Sequence, residues 1–297
     1  MAERIAILCV ANNYGPPRTA HALTRSGAEV CIVAPPGSYA ALTRFKHADL
    51  LLSPHEIQAK MPGVISMLAD EYRADSVIAG DDLAFCALAR LVEKLPTLKV
   101  GDATRALLAR SLPPPRLVAV VARDCEMVMA RARSACPSPP SVANPSEAEA
   151  LAFANSVGFP VLVKRDGLSS GRGVTLCETS ETLRDTLRAK QPQRSAFGQG
   201  FVVQKLLSGT TYGVSVAGVR GKCLAAFSFV KHVVHPKPFG PTSVAKPAPR
   251  EDIIRDAREI YETFELNGFA GFDYVVDYEN KPHFLEINPR IMPTTHL

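Results

Sequence analysis

The strongest constraint on the fold lies near the end of the chain, where two strand-forming segments flank a polar turn. Segments 271–277 and 282–287 enclose the polar residues 279–280, a pattern typical of a β-hairpin. If the turn is centred between residues 279 and 280, Asp273 lies directly opposite Glu286. The sequence therefore predicts two carboxylates facing each other across a hairpin.

Opposed carboxylates repel each other and destabilise a hairpin unless a positive charge sits between them. Asn288 is predicted to share the face of Glu286, because side chains alternate along a strand. Two carboxylates and an amide oxygen are hard ligands that suit Mg²⁺ or Mn²⁺. Arg290 follows, and its guanidinium suits a phosphate or a carboxylate. The alternative is a solvated edge hairpin with scattered charge.

The first hundred residues alternate between apolar runs and helical patterns. The runs 4–11 and 28–34 predict strands that are buried on both faces, and Ser76–Ala79 predicts a third strand. A helical pattern follows each predicted strand. These patterns are a segment of about ten residues that runs to Gly27, residues 55–70 and residues 82–94. Strand–helix alternation with short loops indicates a parallel sheet with right-handed crossovers. We therefore expect a Rossmann-like domain over about residues 1–100.

The loops that follow the first and third predicted strands contain polar residues. Because ligands usually bind at this edge of an α/β sheet, these residues are candidates for substrate contacts. A plain turn and a helix N-cap are the alternative roles. The first turn lacks the GxGxxG fingerprint, so we expect no dinucleotide to bind here. The candidates are Asn12, Asn13, Arg18, Asp81 and Asp82.

A strand that carries Lys164 runs into a loop rich in glycine and serine. Glycines let backbone N–H groups converge on an anion, and serines add hydroxyl donors. Lys164 adds a point charge for a phosphate oxygen. Taken alone, such a loop is more often a flexible hairpin, and it is not a Walker A loop because no GK[ST] follows. The loop residues in question are Ser169, Ser170, Gly171, Arg172 and Gly173.

The segment between residues 206 and 250 contains no Asp or Glu. Either it forms a solvated basic face, or anionic ligands bind near it. Its basic residues are Arg220, Lys222, Lys231, Lys237, Lys246 and Arg250.

Composition narrows the class of protein further. The net charge of +5 is too mild to predict nucleic-acid binding. The seven cysteines form no CxxC pair, and five lie in apolar runs, so we expect reduced, mostly buried thiols in a cytoplasmic protein. The apolar run at the start is too short for a signal peptide or a membrane span. We expect neither nucleic acid nor membrane as a partner.

Three motifs together resemble the ATP-grasp superfamily, and most closely its carbamoyl-phosphate-synthase-like group of carboxylate–amine ligases. They are Val-Leu-Val-Lys-Arg-Asp with its glycine–serine loop, Val-Val-Gln-Lys-Leu-Leu-Ser-Gly, and Phe-Leu-Glu-Ile-Asn-Pro-Arg. The resemblance implies an α/β fold, α+β in the C-terminal part, in which a Rossmann-like pre-ATP-grasp domain precedes a two-lobed ATP-grasp fold. The implied division is 1–100 for the first domain, 101–140 for a helical linker, 141–207 for the small lobe and 208–297 for the C-terminal lobe.

The resemblance also implies the ligands and the roles of residues. Two lobes would clamp ATP with Mg²⁺ or Mn²⁺, Lys164 would contact phosphate, and Arg290 would stabilise the transferring phosphate. Residues Ser169 to Gly173 would cover the β- and γ-phosphates. The adenine hinge would consist of Gln204 and the backbone of Lys205, Leu206 and Leu207, and the metal ligands would be Asp273, Glu286 and Asn288.

The implied reaction joins a small carboxylate to an amine or a similar nucleophile. The carboxylate attacks the γ-phosphate to give an acyl phosphate, and the amine then displaces phosphate. Such chemistry needs positioned cations more than a protein nucleophile. A homodimer is the expectation from base rates alone.

The sequence departs from the family pattern at two nucleotide contacts. No acidic residue follows the hinge to bind the ribose, and Lys205 stands where glutamate is common. Cys125 stands at the usual lysine position for the α-phosphate, which leaves Arg123 as the candidate. An alternative is therefore a non-catalytic or degenerate ATP-binding protein. The segment after Arg290 lacks the glutamate of a biotin carboxylase base, so we expect a different branch.

Overall fold

The computed structural model describes residues 2–131, 134–166, 171, 173–189 and 200–296, with the side chains of residues 124 and 125 left out. Within these ranges the strands form three sheets, two of four strands and one of five. Helices flank them, which gives the mixed α/β class that the sequence predicts. No helix in the described ranges combines the length and the apolar character needed to cross a membrane.

The first sheet is parallel, with the strand order β3-β2-β1-β4. The predicted order of strands and helices is confirmed, except that β3 and the short helix α2 were not predicted and the predicted helix at 55–70 is divided into α3 and α4. Strand β3 is short and alternates between half-buried and exposed positions, so it lacks the apolar run of β1 and β2. The elements are β1 (Arg4–Leu8), α1 (Gly15–Arg25), β2 (Glu29–Ala34), α2 (Tyr39–Leu42), β3 (Ala48–Leu51), α3 (Pro54–Ala59), α4 (Met61–Asp70), β4 (Ser76–Ala79) and α5 (Asp82–Lys94).

Short helices connect this sheet to the next one. The apolar rhythm of residues 102–137 predicts helices that are interrupted by the prolines at 113–115, and three helices form there, the first of which ends before these prolines. The resulting helices are α6 (Asp102–Ser111), α7 (Pro115–Val121) and α8 (Asp124–Ala130).

The second sheet has the order β5-β8-β6-β7 and is antiparallel. Two helices cover one of its faces and enclose a separate small core around Val161, Val163 and Val203. The opposite face presents Lys164 and Gln204. Gln204 pairs with Leu162, which lies two residues before Lys164 on the same strand, so all three side chains share one face. The elements are β5 (Ser141–Ala143), α9 (Glu147–Val157), β6 (Val161–Arg165), β7 (Val174–Cys177), α10 (Ser180–Arg188) and β8 (Phe201–Lys205).

The third sheet is antiparallel and has the order β11-β10-β9-β12-β13. Its strands are longer than predicted, and β11 at the edge was missed because it contains neither an apolar run nor strict alternation. Helix α11 packs on the face opposite the candidate site. The elements are β9 (Gly209–Val219), β10 (Lys222–Val234), β11 (Thr242–Pro247), α11 (Glu251–Thr263), β12 (Gly268–Asp277) and β13 (Pro282–Asn288).

The β12–β13 hairpin confirms the predicted pairing of Asp273 with Glu286. The turn, however, is centred on Glu279 and not between residues 279 and 280, since the N–H of Asp277 donates to the carbonyl of Lys281. A register shift just after Asp273 compensates for this difference. A three-residue turn that ends in a left-handed residue, here Asn280 (φ 65°), is a common hairpin connection.

The largest hydrophobic core joins the first and third sheets. It includes Leu8 and Val33 from the parallel sheet and Val214, Tyr274 and Phe284 from the antiparallel one. Burial of side chains of this size contributes about 1.5–3 kcal/mol each. The candidate site therefore lies on a sheet that is held from behind by a shared core.

Candidate active site

Two acidic side chains meet on the exposed face of the third sheet. Asp273 is 5% exposed and lies directly opposite the half-buried Glu286. One carboxylate oxygen of Asp273, Oδ1, is buried and has no hydrogen-bond partner in the described ranges. Burial, opposed by Lys231 and reinforced by Glu286, raises the pKa of Asp273 to about 6.

Lys231 supplies the positive charge that the opposed carboxylates require. Its ammonium donates to Asp273 Oδ2 across the intervening strand β9, and both side chains are largely buried. Lys231 was predicted only as one member of a locally basic segment. The sequence predicts a hairpin of strands 212–219 and 223–230, which ends one position short of this lysine, whereas β10 continues to Val234.

Lys164 approaches the same pair from the second sheet. Its ammonium lies 3.4 Å from the carbonyl oxygen of Leu285, the residue before Glu286. Burial alone would raise the pKa of Glu286, but the charges of Lys164 and Lys231 outweigh it, and the pKa is lowered. The structure thus brings Lys164 beside the predicted metal ligands.

Asn288 and Arg290 extend the site toward the parallel sheet. The amide of Asn288 donates to Glu286 Oε1 (3.4 Å), and Arg290 Nη2 donates to Asn288 Oδ1 (3.0 Å). Arg290 Nε also donates to Asp82 Oδ1 at 2.8 Å. Burial alone would lower the pKa of Arg290, but nearby acids, above all Asp82, raise it. Arg290 is buried and ion-paired in this conformation.

The two acidic residues after β4, Asp81 and Asp82, have different roles. Asp81 is 3% exposed and caps α5 by accepting from the N–H of Ala84 (2.9 Å). Its other oxygen accepts from the backbone of Val10 and Ala11, so it also fixes the loop after β1. The helix-cap role therefore accounts for Asp81, and burial raises its pKa. Asp82 instead belongs to the candidate site through Arg290.

The polar residues after β1 are used mainly to shape loops. Asn12 Oδ1 accepts from the N–H of Tyr39 at 2.9 Å, and Asn13 Oδ1 accepts from the N–H of Gly15 at 3.2 Å. Arg18 donates to the carbonyl of Pro293 (3.2 Å), a residue just beyond the hairpin. The contact of Arg18 thus reaches the segment after the hairpin, and all three described contacts are structural.

The predicted nucleotide loop is described only in part. Ser169, Ser170 and Arg172 lie outside the described residues. Gly171 has φ +75°, and a Cβ there would meet the carbonyl oxygen of Phe239 at 2.2 Å. Gly171 thus allows the loop to lie against the segment after β10, and Gly173 accepts from the N–H of Arg165.

The predicted adenine hinge follows strand β8. Gln204 is 1% exposed, its amide donates to Ser141 Oγ (2.9 Å), and its carbonyl oxygen Oε1 is buried without a described partner. The N–H of Lys205 donates to the carbonyl of Pro140. The N–H of Leu206 lies 3.4 Å from the carbonyl of Pro160, and no backbone bond is described for the N–H of Leu207.

The predicted contact for the α-phosphate lies at the start of α8. Arg123 is the residue before the helix and forms ion pairs with Glu93 (3.6 Å) and Glu126 (3.2 Å). The side chain of Cys125 lies outside the described part. The structure thus shows Arg123 engaged by acids, and a phosphate would have to compete with them.

The side chains present fit a hard divalent cation. Two carboxylates and an amide oxygen lie on one face, and Asp273 Oδ1 is a buried acceptor without a donor. No group of three or more His, Cys, Asp and Glu with metal-binding geometry occurs among the described residues. Mg²⁺ commonly uses only one or two carboxylates, with phosphates and water as further ligands.

The fold and this site together define a protein of the ATP-grasp superfamily, in its carboxylate–amine ligase group. The family model for the carbamoyl-phosphate synthase L chain, ATP binding domain, matches residues 123–296. This match covers more than half of the sequence, and the chain belongs to that family. The matched range begins at Arg123 and includes Lys164 and the metal-binding candidates.

The curated relatives are large carboxylases. Pyruvate carboxylase of Aspergillus terreus is 31% identical over 156 residues, which is 48% of this chain and 13% of that protein. A putative urea carboxylase of Emericella nidulans is 25% identical over 160 residues. The chain spans only 13% of the length of these relatives. The similarity is thus confined to about half of this chain.

Solved structures share the fold at low sequence identity. The biotin carboxylase domain dimer of Hydrogenobacter thermophilus 2-oxoglutarate carboxylase, in complex with MgADP, ADP and bicarbonate, gives a TM-score of 0.72 at 17% identity. The superposition covers 97% of this chain and 64% of that chain. N5-carboxyaminoimidazole synthetase from Staphylococcus aureus, complexed with ADP, gives 0.68 at 11% identity, with coverage of 99% and 72%.

Proposed function

We propose that the chain is an ATP- and magnesium-dependent ligase that activates a small carboxylate as an acyl phosphate and transfers it to an amine or a similar nucleophile. One observation carries the proposal. Asp273, which has a buried and unsatisfied carboxylate oxygen, lies opposite Glu286, and Lys164 contacts the carbonyl of the neighbouring Leu285. The ADP complexes of related structures support the same nucleotide.

The proposed domain organisation follows the sheets. The parallel sheet within residues 1–100 would be the Rossmann-like pre-ATP-grasp domain, and residues 101–140 the helical linker. Residues 141–207 would be the small lobe, and 208–297 the C-terminal lobe. The separate core of the second sheet supports a small lobe that moves as one body.

The nucleotide would lie between the second and third sheets. Lys164 would contact phosphate, the 169–173 loop would cover the β- and γ-phosphates, and Arg123 would contact the α-phosphate. The adenine would bind at Gln204 and at the backbone of 205–207, where Gln204 Oε1 is a buried acceptor that can take the adenine amine. Asp273, Glu286 and Asn288 would hold magnesium, which neutralises charge on the transferring phosphate.

The chain's own groups would then act as positioned cations. A carboxylate oxygen of the substrate attacks the γ-phosphorus, the bond to the leaving ADP oxygen breaks, and Arg290 and Lys164 balance the charge on the phosphoryl oxygens. The amine nitrogen next attacks the acyl carbon, the bond to phosphate breaks, and the nitrogen passes a proton to the departing phosphate. Arg18 contacts the segment after the hairpin, and we propose that the carboxylate substrate binds there, near Asn12, Asn13 and Arg18.

The decisive experiment measures ADP release from Mg-ATP with a panel of amino and carboxylic acids. We expect turnover with at least one carboxylate, and loss of turnover by at least about 100-fold in E286Q. Glu279→Gln is the matched control, because Glu279 is an exposed acid at the tip of the same hairpin. If the panel gives no ADP while the nucleotide demonstrably binds, the ligase assignment is wrong.

A second candidate is an ATP-binding protein without turnover. It is favoured by the ion pairs of Arg123 with Glu93 and Glu126, together with the missing acid after the hinge. Calorimetry separates the two candidates. Nucleotide binding without any turnover, and with E286Q leaving the cellular function intact, would establish this second one.

A further inference from the structure

A lysine and an aspartate form a buried ion pair inside the proposed metal site. Lys231 Nζ donates to Asp273 Oδ2, with side chains that are 14% and 7% exposed. The second oxygen, Oδ1, is buried and lacks a hydrogen bond within the described ranges. The ammonium thus neutralises one side of the carboxylate, while the other side can still accept a cation.

The sheet geometry explains how Lys231 reaches Asp273 across a strand. In the register, Asp273 lies beside Gly213, and Gly213 lies beside Phe229, two residues before Lys231. All these positions share one face because alternate residues of a strand do so. A Cβ at Gly213 would meet the Phe229 ring at 2.3 Å. Because glycine has no side chain, side chains of β10 can lie across β9 at this position.

The charged side chains of the site already interact with one another. Lys164, Lys231 and Arg290 face Asp82, Asp273 and Glu286 through the contacts described above. A free divalent cation would add charge to this largely buried group and would compete with the ammonium for Asp273. A buried ammonium without a partner is costly, so displacement requires another anion.

The protein offers Lys231 few other acids. Its own segment, from residue 206 to residue 250, contains no Asp or Glu. Glu286 is the other carboxylate whose pKa Lys231 lowers, and it would itself bind the metal. A phosphate oxygen of the nucleotide would be the replacement partner that comes with the metal.

We propose that Lys231 is an exchangeable counterion of the site, which holds Asp273 when no metal is bound and moves to a phosphate oxygen when a metal–nucleotide complex binds. The inference rests on the proposed function, because it takes Asp273 as a metal ligand. Lys231 then lowers the affinity for a free divalent ion and raises the affinity for the ion together with nucleotide. The site thereby selects the complex over its parts.

The test is a titration of the full chain with Mn²⁺, followed by electron paramagnetic resonance of the unbound ion, with and without a non-hydrolysable ATP analogue. We expect Lys231→Gln to bind Mn²⁺ alone about 10-fold more tightly, and the Mn²⁺–analogue complex about 10-fold more weakly, as is typical for loss of a close charge pair. Glutamine keeps a donor near Asp273, which protects folding. Lys246→Met is the matched control, since this exposed lysine on the adjacent strand pairs with Val230, whose side chain points to the opposite face.

Opposite changes in the two affinities are the signature of an exchangeable counterion. Unchanged or weaker binding of Mn²⁺ alone in K231Q would overturn the inference, and so would equal changes in both affinities. If K231Q unfolds by circular dichroism, Lys231→Met and Lys231→Asn are read by the same criteria. If the signature is present but no carboxylate supports ADP release, the ligase proposal fails and the role of Lys231 stands.

Discussion

At the scale of single residues, the site is a row of acidic and basic side chains, and the pKa values of Asp273 and Glu286 depend on the charges of their neighbours. Asp273 and Glu286 are equivalent by register, yet burial raises the pKa of Asp273 whereas two lysines lower that of Glu286. Paired carboxylates whose pKa values are pushed apart are common at functional sites. The row ends at Arg290, which follows β13 of the third sheet, and at Asp82, which begins the helix after β4 of the parallel sheet.

Asp82 is expected to position Arg290 for catalysis. Replacing it with asparagine removes the charged partner while leaving the bond of Arg290 to Asn288, so the guanidinium is held less firmly. We expect kcat for ADP release to fall by about 10- to 100-fold in D82N, with a smaller change in KM for ATP. Asp102→Asn is the matched control, because Asp102 is likewise the first residue of a helix and is exposed. Equal kinetics of the two variants would refute the role of Asp82.

Away from the site, Glu56 gives a pH-dependent contribution to stability. The Ser53 hydroxyl, the Ser53 backbone N–H and Lys60 lower the pKa of Glu56 from 4.5 to about 2. Because the pKa is lowered on folding, the contribution is complete above pH 4.5 and is lost as the pH falls toward 2. Urea unfolding of wild type and E56Q should therefore differ at pH 7 and converge as the pH falls from 4.5 to 2. A difference that grows on acidification would show that the sign is wrong.

At the scale of secondary-structure elements, a buried ion pair ties α8 to α11 and β12. Arg131 and Asp256 are each less than a tenth exposed, and Tyr274 donates to the second oxygen of Asp256 at 2.9 Å. Burial is the main cause that raises the pKa of Asp256, and Arg131 opposes it. This network lies on the face of the sheet opposite the candidate site.

Removal of Asp256 should destabilise the protein strongly. D256A leaves the buried guanidinium of Arg131 without its charge partner, which typically costs about 3–5 kcal/mol. Urea unfolding measures the loss, and Glu259→Ala on the exposed side of the same helix is the control. The double variant R131M/D256A should recover part of the loss, because the stranded charge is gone. If D256A is as stable as E259A, the pair contributes nothing.

Close packing between neighbouring strands makes Gly213 a second sensitive position. A Cβ there would lie 2.3 Å from the Phe229 ring, which is buried at 3% exposure. We expect G213A to lose about 1–3 kcal/mol of unfolding free energy through overpacking. F229L provides the space, so G213A/F229L should be more stable than G213A alone. Thermal unfolding of the three variants decides, and a stable G213A would contradict the close contact.

Much of this arrangement could be predicted from the sequence, because it depends on local patterns. The opposition of Asp273 and Glu286 follows from symmetry about a turn, and the bulge in β13 happens to restore the register that a turn centred on Glu279 would shift. The contact of Lys231 with Asp273 could not be predicted, since it depends on the order β10-β9-β12 of the sheet. Edge strands β3 and β11 were not predicted for a related reason. Pairing with a neighbouring strand, more than their own sequence pattern, determines their extended conformation.

At the scale of the whole molecule, the hairpin is anchored to the parallel sheet. The N–H of Ile291 donates to the carbonyl of Ala79 at the end of β4, and a Cβ on Gly15 would meet Ile291 at 2.8 Å. Arg290 and Asp82 add an ion pair across the same boundary. With the shared hydrophobic core, these contacts join the first and third sheets into one unit.

The second sheet should behave as a separate unit of stability. Its core around Val161, Val163 and Val203 is distinct from the shared core, and Lys164 reaches the hairpin through one long contact. Val163→Ala removes buried methyl groups at a cost of roughly 1–3 kcal/mol. Hydrogen exchange should then accelerate within 141–188 and 200–205, while β1 and β12 keep their protection.

Val33→Ala is the matched control, because Val33 is equally buried but belongs to the shared core. We expect V33A to accelerate exchange in both the first and third sheets together, since one core supports both.

Mg-ADP at about 100 times its Kd should add about 2.7 kcal/mol to the stability of whichever units it contacts. If it binds between Lys164 and the hairpin, the added protection must appear in the second and third sheets at once. Protection limited to one of them would place the nucleotide elsewhere.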